Sequence, residues 1–265
     1  MRMAASHGSR PGDAERVQKV LAQLGLASRR EAESWIRAGR LTVNGKPAEL
    51  GMRVIPQDQI RLDGRVIRRQ PAAKTATPVF VCHRSPGEPL LPVRGADAAG
   101  ADAVISSLAS RLPRRAGRRF ISVSPLPLVD GGLELLTADG AAAARLQRAM
   151  RGLEMEFSLR VRGELSPEQE ESIRGGMLDR GSAIRIVLLE PAGGEGSNRW
   201  YRLVAAGCSG NDIRQLFERS AVTLVRMLRT RMGSFGLPRT LPRSHFRPLT
   251  DEELASLLGN PGSAR

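Results

Sequence analysis

A change of hydrophobic period within the first seventy residues constrains the fold more than any other feature of the sequence. Val17, Val20, Leu21 and Leu24 recur at i, i+3, i+4 and i+7, which is one face of a helix, and Gly25 stands where a helix end favours a left-handed residue. Ser28 followed by Glu31 is a capping-box pattern that opens a second helix through Ala32, Trp35 and Ile36, closed at Gly39. Beyond it the pattern alternates. Leu41-Thr42-Val43 runs into Asn44-Gly45 and Ile60-Arg61-Leu62 into Asp63-Gly64, both pairs suited to tight hairpins because each residue tolerates positive φ. The reading is helix, helix, then short strands, a small domain over residues 14–68, preceded by a polar leader (1–13) without regular structure.

The stretch from Arg68 to Pro78 has no period and reads as a linker, here 69–78. From Val79 the chain alternates strands with helices. Strands are expected at Val79-His83, Phe120-Val123, Leu133-Thr137, Glu154-Arg162, Ala183-Leu189, Arg199-Ala205 and Val222-Met232. Helices are expected around Asp102-Leu112, Ala141-Arg151, after the Ser166-Pro167 start signal, and over Asn211-Arg219. Interleaved in this way they predict a second domain over 79–250, a mixed and mainly antiparallel sheet with helices packed on it, and a tail over 251–265. The fold class is α+β.

Charge narrows the partners. The chain carries 41 Lys+Arg against 27 Asp+Glu, a net +14, which favours a polyanion because every phosphate neutralised releases counterions. Only three of the basic residues are lysine, an arginine bias that codon usage alone also produces. Arg29, Arg30, Arg37, Arg40 and Lys46 gather on the second helix and the hairpin after it, and residues 1–70 hold 14 basic against 7 acidic side chains. Arg111 to Arg119, including Arg114 and Arg115, adds five arginines in nine residues and reads as either an extension of the same basic track or a solvated loop. No stretch approaches the ~20 apolar residues of a membrane span, and no long amphipathic helix with an aromatic face favours a membrane surface. Cys82 and Cys208 stand far apart, and His7, His83 and His245 are isolated, so neither a disulfide framework nor a metal site is indicated. A cytoplasmic monomer without a cofactor is expected.

The string from Leu21 to Ala32, followed by Gly39-Arg40-Leu41-Thr42-Val43-Asn44-Gly45-Lys46, resembles the RNA-binding domain first described in ribosomal protein S-four. That resemblance implies an RNA-binding surface made by Arg29, Arg30, Arg37, Arg40 and Lys46. Further along, Gly132 to Ala141, Glu154-Met155-Glu156-Phe157, Trp200-Tyr201, Ile213-Arg214-Gln215-Leu216, and Arg226 through Gly233 with Leu237-Pro238 resemble the ribosomal RNA pseudouridine synthases. The likeness is to the branch that modifies large-subunit RNA (type B) and carries the same N-terminal module. It implies structured RNA, large-subunit ribosomal RNA in particular, as the partner.

In that family a strand-end Arg-Leu-Asp supplies the catalytic aspartate. Counted back from Gly132, those positions read Pro125, Leu126 and Pro127 here, and proline offers no carboxylate. The family's strand tyrosine is Phe157, which keeps a ring able to stack on a base but loses the hydroxyl. Gly207 to Asp212 replaces a basic run, and a Lys-Pro-x-Gly near the domain start reads Arg84-Ser85-Pro86-Gly87. The resemblance therefore implies an RNA-binding family member with impaired catalysis. The alternative is an active isomerase that uses Asp130, three residues beyond Pro127, although a polar turn residue before Gly131-Gly132 explains Asp130 as well.

Overall fold

In a computed structural model of the chain, the structure describes residues 14–68, 77–94, 104–105, 107–113, 119–179, 181–194 and 196–259. The expected leader, residues 69–76 of the expected linker, and both Arg114 and Arg115 lie outside them. The chain divides into two compact units, one within residues 1–76 and one from 77 onward apart from 117–119.

The first unit runs β1 (Glu15–Arg16), α1 (Val17–Gln23), α2 (Arg29–Arg37), β2 (Leu41–Val43), β3 (Lys46–Pro47), β4 (Arg53–Val54), β5 (Ile60–Leu62) and β6 (Arg65–Val66). Ser28 accepts the Glu31 backbone N–H at 3.0 Å while the Glu31 side chain accepts the Ser28 N–H at 3.2 Å, so two donors that the helix cannot satisfy are used at its start. The four-stranded sheet has the order β3-β2-β5-β6, with β1 paired to β4 beside it. Its hairpins turn where the sequence signals them: Asn44 and Gly45 have φ of 51° and 82°, Asp63 and Gly64 of 49° and 77°. Val17, Leu21, Ala27, Ala32, Leu41, Val54 and Ile60 close a core between helices and sheet.

The second unit runs β7 (Val79–Arg84), β8 (Val93–Arg94), β9 (Val104–Ile105), β10 (Ile121–Ser122), β11 (Gly131–Thr137), α3 (Gly140–Met150), β12 (Glu154–Arg162), α4 (Pro167–Gly175), β13 (Arg185–Pro191), β14 (Asn198–Ala206), α5 (Gly210–Arg219), β15 (Leu224–Met232), β16 (Phe235–Gly236), β17 (His245–Pro248) and α6 (Asp251–Leu257). The sheet order is β13-β14-β12-β15-β11-β7-β17, with β10 on β11 and β16 on β15. Every pairing is antiparallel except β11 with β15, which run parallel over two residue pairs, Gly131 with Leu228 and Gly132 with Arg229. Gly132 is needed there. Its φ is +95°, and a Cβ would lie 2.3 Å from the Arg229 carbonyl oxygen, so the strands approach this closely only without a side chain. Alternation on β12 sends Met155, Phe157, Leu159 and Val161 into the main core with Leu146, Ile173, Ile213, Phe217 and Leu257 from the helices.

Two expectations need correction. The helix expected over Asp102-Leu112 is instead strand β9 and, from Leu108 to Arg111, a 3-10 turn. Ser107 and Ser110 cap each other's backbone N–H groups, and Leu108 and Ala109 donate to the carbonyls of Pro89 and Leu90, so those donors are not free for a helix. The tail expected from residue 251 begins with α6, where Thr250 and Glu253 form a capping box and Leu257 is fully buried in the core. Among the described residues, no helix is long and apolar enough to cross a membrane.

Candidate functional site

The basic residues of the first unit do not act alike. Arg29 and Arg30 in the first turn of α2, and Lys46 in β3, are exposed and make no ion pair among the described residues. Arg37 is exposed with Glu33 at 3.9 Å one turn back, a weak surface contact. Arg40 forms a two-pronged bond to Asp63, Nε to Oδ1 at 2.9 Å and Nη2 to Oδ2 at 2.5 Å, and lies 5.7 Å from the Trp35 ring centroid. The hydrogen bond to Asp63 raises the Arg40 guanidinium above its ordinary value and lowers the Asp63 carboxyl below its own. Arg40 thus ties the α2 end to the second hairpin. Of the five basic residues expected to bind RNA, Arg29, Arg30 and Lys46 are the ones without an ion pair among the described residues, and α2 and the first hairpin hold them within one small module.

In the second unit the segment of interest connects β10 to β11 and carries Pro127, where the resemblance expects the catalytic aspartate. Four carbonyls of this segment are gripped by buried arginines. Arg84, 1% exposed at the end of β7, donates to the carbonyls of Leu126 (3.2 Å), Pro127 (2.8 Å) and Leu128 (3.2 Å), and to Glu134 Oε1 at 3.1 Å. Arg229 donates to the Ser124 carbonyl at 2.7 Å, the Leu133 carbonyl at 2.8 Å and Glu134 Oε2 at 3.2 Å. Glu134, fully buried between the two guanidiniums, also accepts the Leu126 N–H at 3.1 Å. Burial pushes this carboxyl above its ordinary value, against the pull of Arg229 and Arg84. An isolated charge could not be held so deep, and two cations with a backbone donor are what make it tolerable.

Asp130 is held just as completely. Its Oδ1 accepts from Arg214 Nη2 at 2.5 Å and from the Met227 N–H at 2.8 Å, its Oδ2 accepts from Arg214 Nε at 2.6 Å, and the residue is fully buried. Its own N–H closes the turn on the Pro127 carbonyl at 3.0 Å. A nucleophile or general base has to bring an oxygen to within about 3 Å of the reacting atom. Neither Asp130 nor Glu134 has an oxygen turned to solvent, and the Pro127 ring is packed on the start of α5. A Cβ on Gly210 would lie 2.7 Å from Leu126 Cδ2 and 3.0 Å from Pro127 Cδ. Leu128 and Val129, between Pro127 and Asp130, are the residues that face solvent, at 56% and 55% exposure.

Phe157 is corrected as a base-stacking residue. It is fully buried in the main core, paired across the strands with Leu203, so no face is open to a nucleobase. The structure brings Asp130 and Arg214 together but leaves Phe157 apart from any open surface. Glu134 and Arg229 were missed by sequence reasoning. A lone acid within Leu133-Glu134-Leu135-Leu136 signals a buried pairing, since such a strand otherwise buries only apolar groups, but nothing in the sequence names its partners.

The comparisons with known proteins bear on both units. Residues 15–60 match the family model described as the S4 domain. The chain is 37% identical over 238 residues to the ribosomal large subunit pseudouridine synthase B of Escherichia coli, an alignment covering 89% of this chain and 79% of that protein. It is 36% identical over 241 residues to the protein of the same name from Pseudomonas aeruginosa, covering 91% of this chain but 61% of that longer relative. A solved structure described as a pseudouridylate synthase superimposes with a TM-score of 0.57 over 91% of this chain and 99% of that one, and at 19% identity it speaks for the fold alone. Identity at this level across nine-tenths of the chain, joined to an S4 domain and a sheet of this fold, means that the chain belongs to the ribosomal large subunit pseudouridine synthase B family.

Proposed function

We propose that this family member binds structured large-subunit ribosomal RNA and does not isomerise uridine. The observation that carries the second half is the state of Asp130: both carboxylate oxygens are consumed by Arg214 and the Met227 N–H, while the position three residues earlier holds a proline ring. Forming pseudouridine requires breaking the bond from the anomeric carbon to the base nitrogen, turning the base, and rejoining through carbon 5, with the base first taken out of its stack. Removing the primary catalytic group from an enzyme costs roughly 10⁴ to 10⁶ in rate.

The first half rests on the S4-domain match together with the free cations Arg29, Arg30 and Lys46 on one small module. Folded RNA is gripped by shape and backbone, for which arginine's fork of donors is well suited. The protein would serve in the cytoplasm as a monomeric ribosome-assembly factor or RNA chaperone. Incubation of the purified chain with large-subunit ribosomal RNA, followed by mapping of pseudouridine, tests the reading. No site above the untreated control is expected, whereas a clear site-specific product would restore the alternative of an active isomerase working through Asp130.

A further inference from the structure

One face of the second unit's sheet carries an arrangement that the S4 module does not account for. On β12, Glu156, Ser158 and Arg160 point away from the core that Phe157 and Leu159 fill. Cross-strand partners share a face, and the register places Trp200 of β14 and Arg226 of β15 directly beside Arg160, one on each side. With strands about 4.8 Å apart, this row is about 10 Å wide. Arg162 follows two residues along β12, and all four side chains are at least partly exposed. Leu146 and Met150 of α3, Ile173 of α4, Phe217 of α5 and Leu257 of α6 belong to the core on the opposite face.

Ion pairing divides this face in two. Arg202 is held by Glu156 at 3.1 Å and Glu190 at 2.9 Å, Arg231 by Glu156 at 3.4 Å, and Arg185 by Glu154 at 3.4 Å. Arg160, Arg162 and Arg226 make no ion pair and no side-chain hydrogen bond among the described residues. Trp200, at the β14 end of the row beside Arg160, makes no aromatic or cation–π contact among those residues. Three guanidiniums this close repel one another, and a partly exposed indole keeps apolar surface in water. A single strand of RNA relieves both at once, its phosphates neutralising the cations while a base covers the ring. A duplex offers no free base face, and a lone phosphate leaves the indole bare.

We propose that this face is a second RNA-contact surface, taking a single-stranded segment with one base stacked on Trp200 and phosphates against Arg160, Arg162 and Arg226. It deepens the RNA-binding reading above, and its test can fail separately from that reading. The sequence holds two tryptophans, so Trp35→Phe in the full chain leaves Trp200 as the only one. Titration of that variant with a short oligouridylate is expected to quench its emission saturably. The paired change Arg160→Gln with Arg226→Gln, or a second pair to Ala with the melting temperature as a check on folding, should weaken the affinity about tenfold or more and flatten its salt dependence. Charge reversal at Arg29 and Arg30 should leave the quench in place. Absence of quenching, quenching indifferent to both pairs of changes, or quenching abolished by the Arg29 and Arg30 reversal alone would each overturn the proposal. Failure of a ribosomal RNA hairpin to bind with the quench preserved would instead refute the reading of the S4 module.

Discussion

Asp130 is the residue at which a structural and a catalytic role predict opposite results. In Asp130→Ala the Arg214 guanidinium loses both of its bonds to the carboxylate, and the buried Met227 N–H loses its acceptor. Removing one partner of a buried ion pair costs about 3–5 kcal/mol. The Arg214 side chain keeps 26% of its surface in water, so solvent takes up part of the freed charge and the low end, about 3 kcal/mol, applies. The unsatisfied N–H adds about 1 kcal/mol. A loss of about 4 kcal/mol lowers the melting temperature of a unit this size by roughly 8–16 °C. Adding Arg214→Ala to Asp130→Ala should cost little more, because the partner left uncompensated is then gone as well. Thermal unfolding of the full chain, followed by a signal from the second unit, reads the effect, with pseudouridine mapping run on the same variants. A shift within a degree or two of zero would refute the structural role. If the parent chain formed pseudouridine and a stably folded Asp130→Ala did not, the carboxylate would be catalytic.

Three further outcomes follow from the same geometry. Burial pushes the Cys208 thiol up to about 12 and the Cys82 thiol further still, so neither should react with a thiol-specific reagent at neutral pH in the native protein, and both should react on unfolding. The hydrogen bond from Arg247 holds the Glu253 carboxyl below its ordinary value; that contribution is present above the unfolded value and is lost as the pH falls through the folded one. Protection of the α6 amides, measured against their intrinsic exchange rates, should therefore fall selectively in acid, and Glu253→Gln should remove that pH dependence. Reversing Arg29 and Arg30 to glutamate should weaken binding of structured ribosomal RNA and reduce the slope of log affinity against log salt by roughly 0.7–0.9 for each phosphate no longer neutralised. An unchanged slope would remove both residues from the interface.

Local signals carried much of this fold into view. The capping pair at Ser28, the Ser166-Pro167 helix start, the Asn44-Gly45 and Asp63-Gly64 turns and the full span of β12 are encoded within a few residues, and the structure places each where the pattern does. What stayed hidden depends on distant partners. β17 is four residues long and exists because His245 to Pro248 pair with β7, more than 160 positions earlier. Thr250 and Glu253 do spell a capping box, yet that helix is held by burying Leu257 among residues of other elements. At the site, Pro127 was legible as a missing carboxylate, because absence can be read from one position. The grip of Arg84 and Arg229 on the same segment, and the closure of Asp130 by Arg214, join residues 42 to 105 positions apart and have no local signature.

Binding without isomerisation is the central claim, and release of the hydrogen on uracil carbon 5 tests it most directly, since rejoining the sugar through that carbon displaces it. Large-subunit ribosomal RNA made with tritium at carbon 5 of uridine would be incubated with the full chain in excess, under conditions where filter binding shows the RNA occupied. The account predicts retained RNA and no tritium release above the protein-free control. Stoichiometric release from a defined uridine would contradict it.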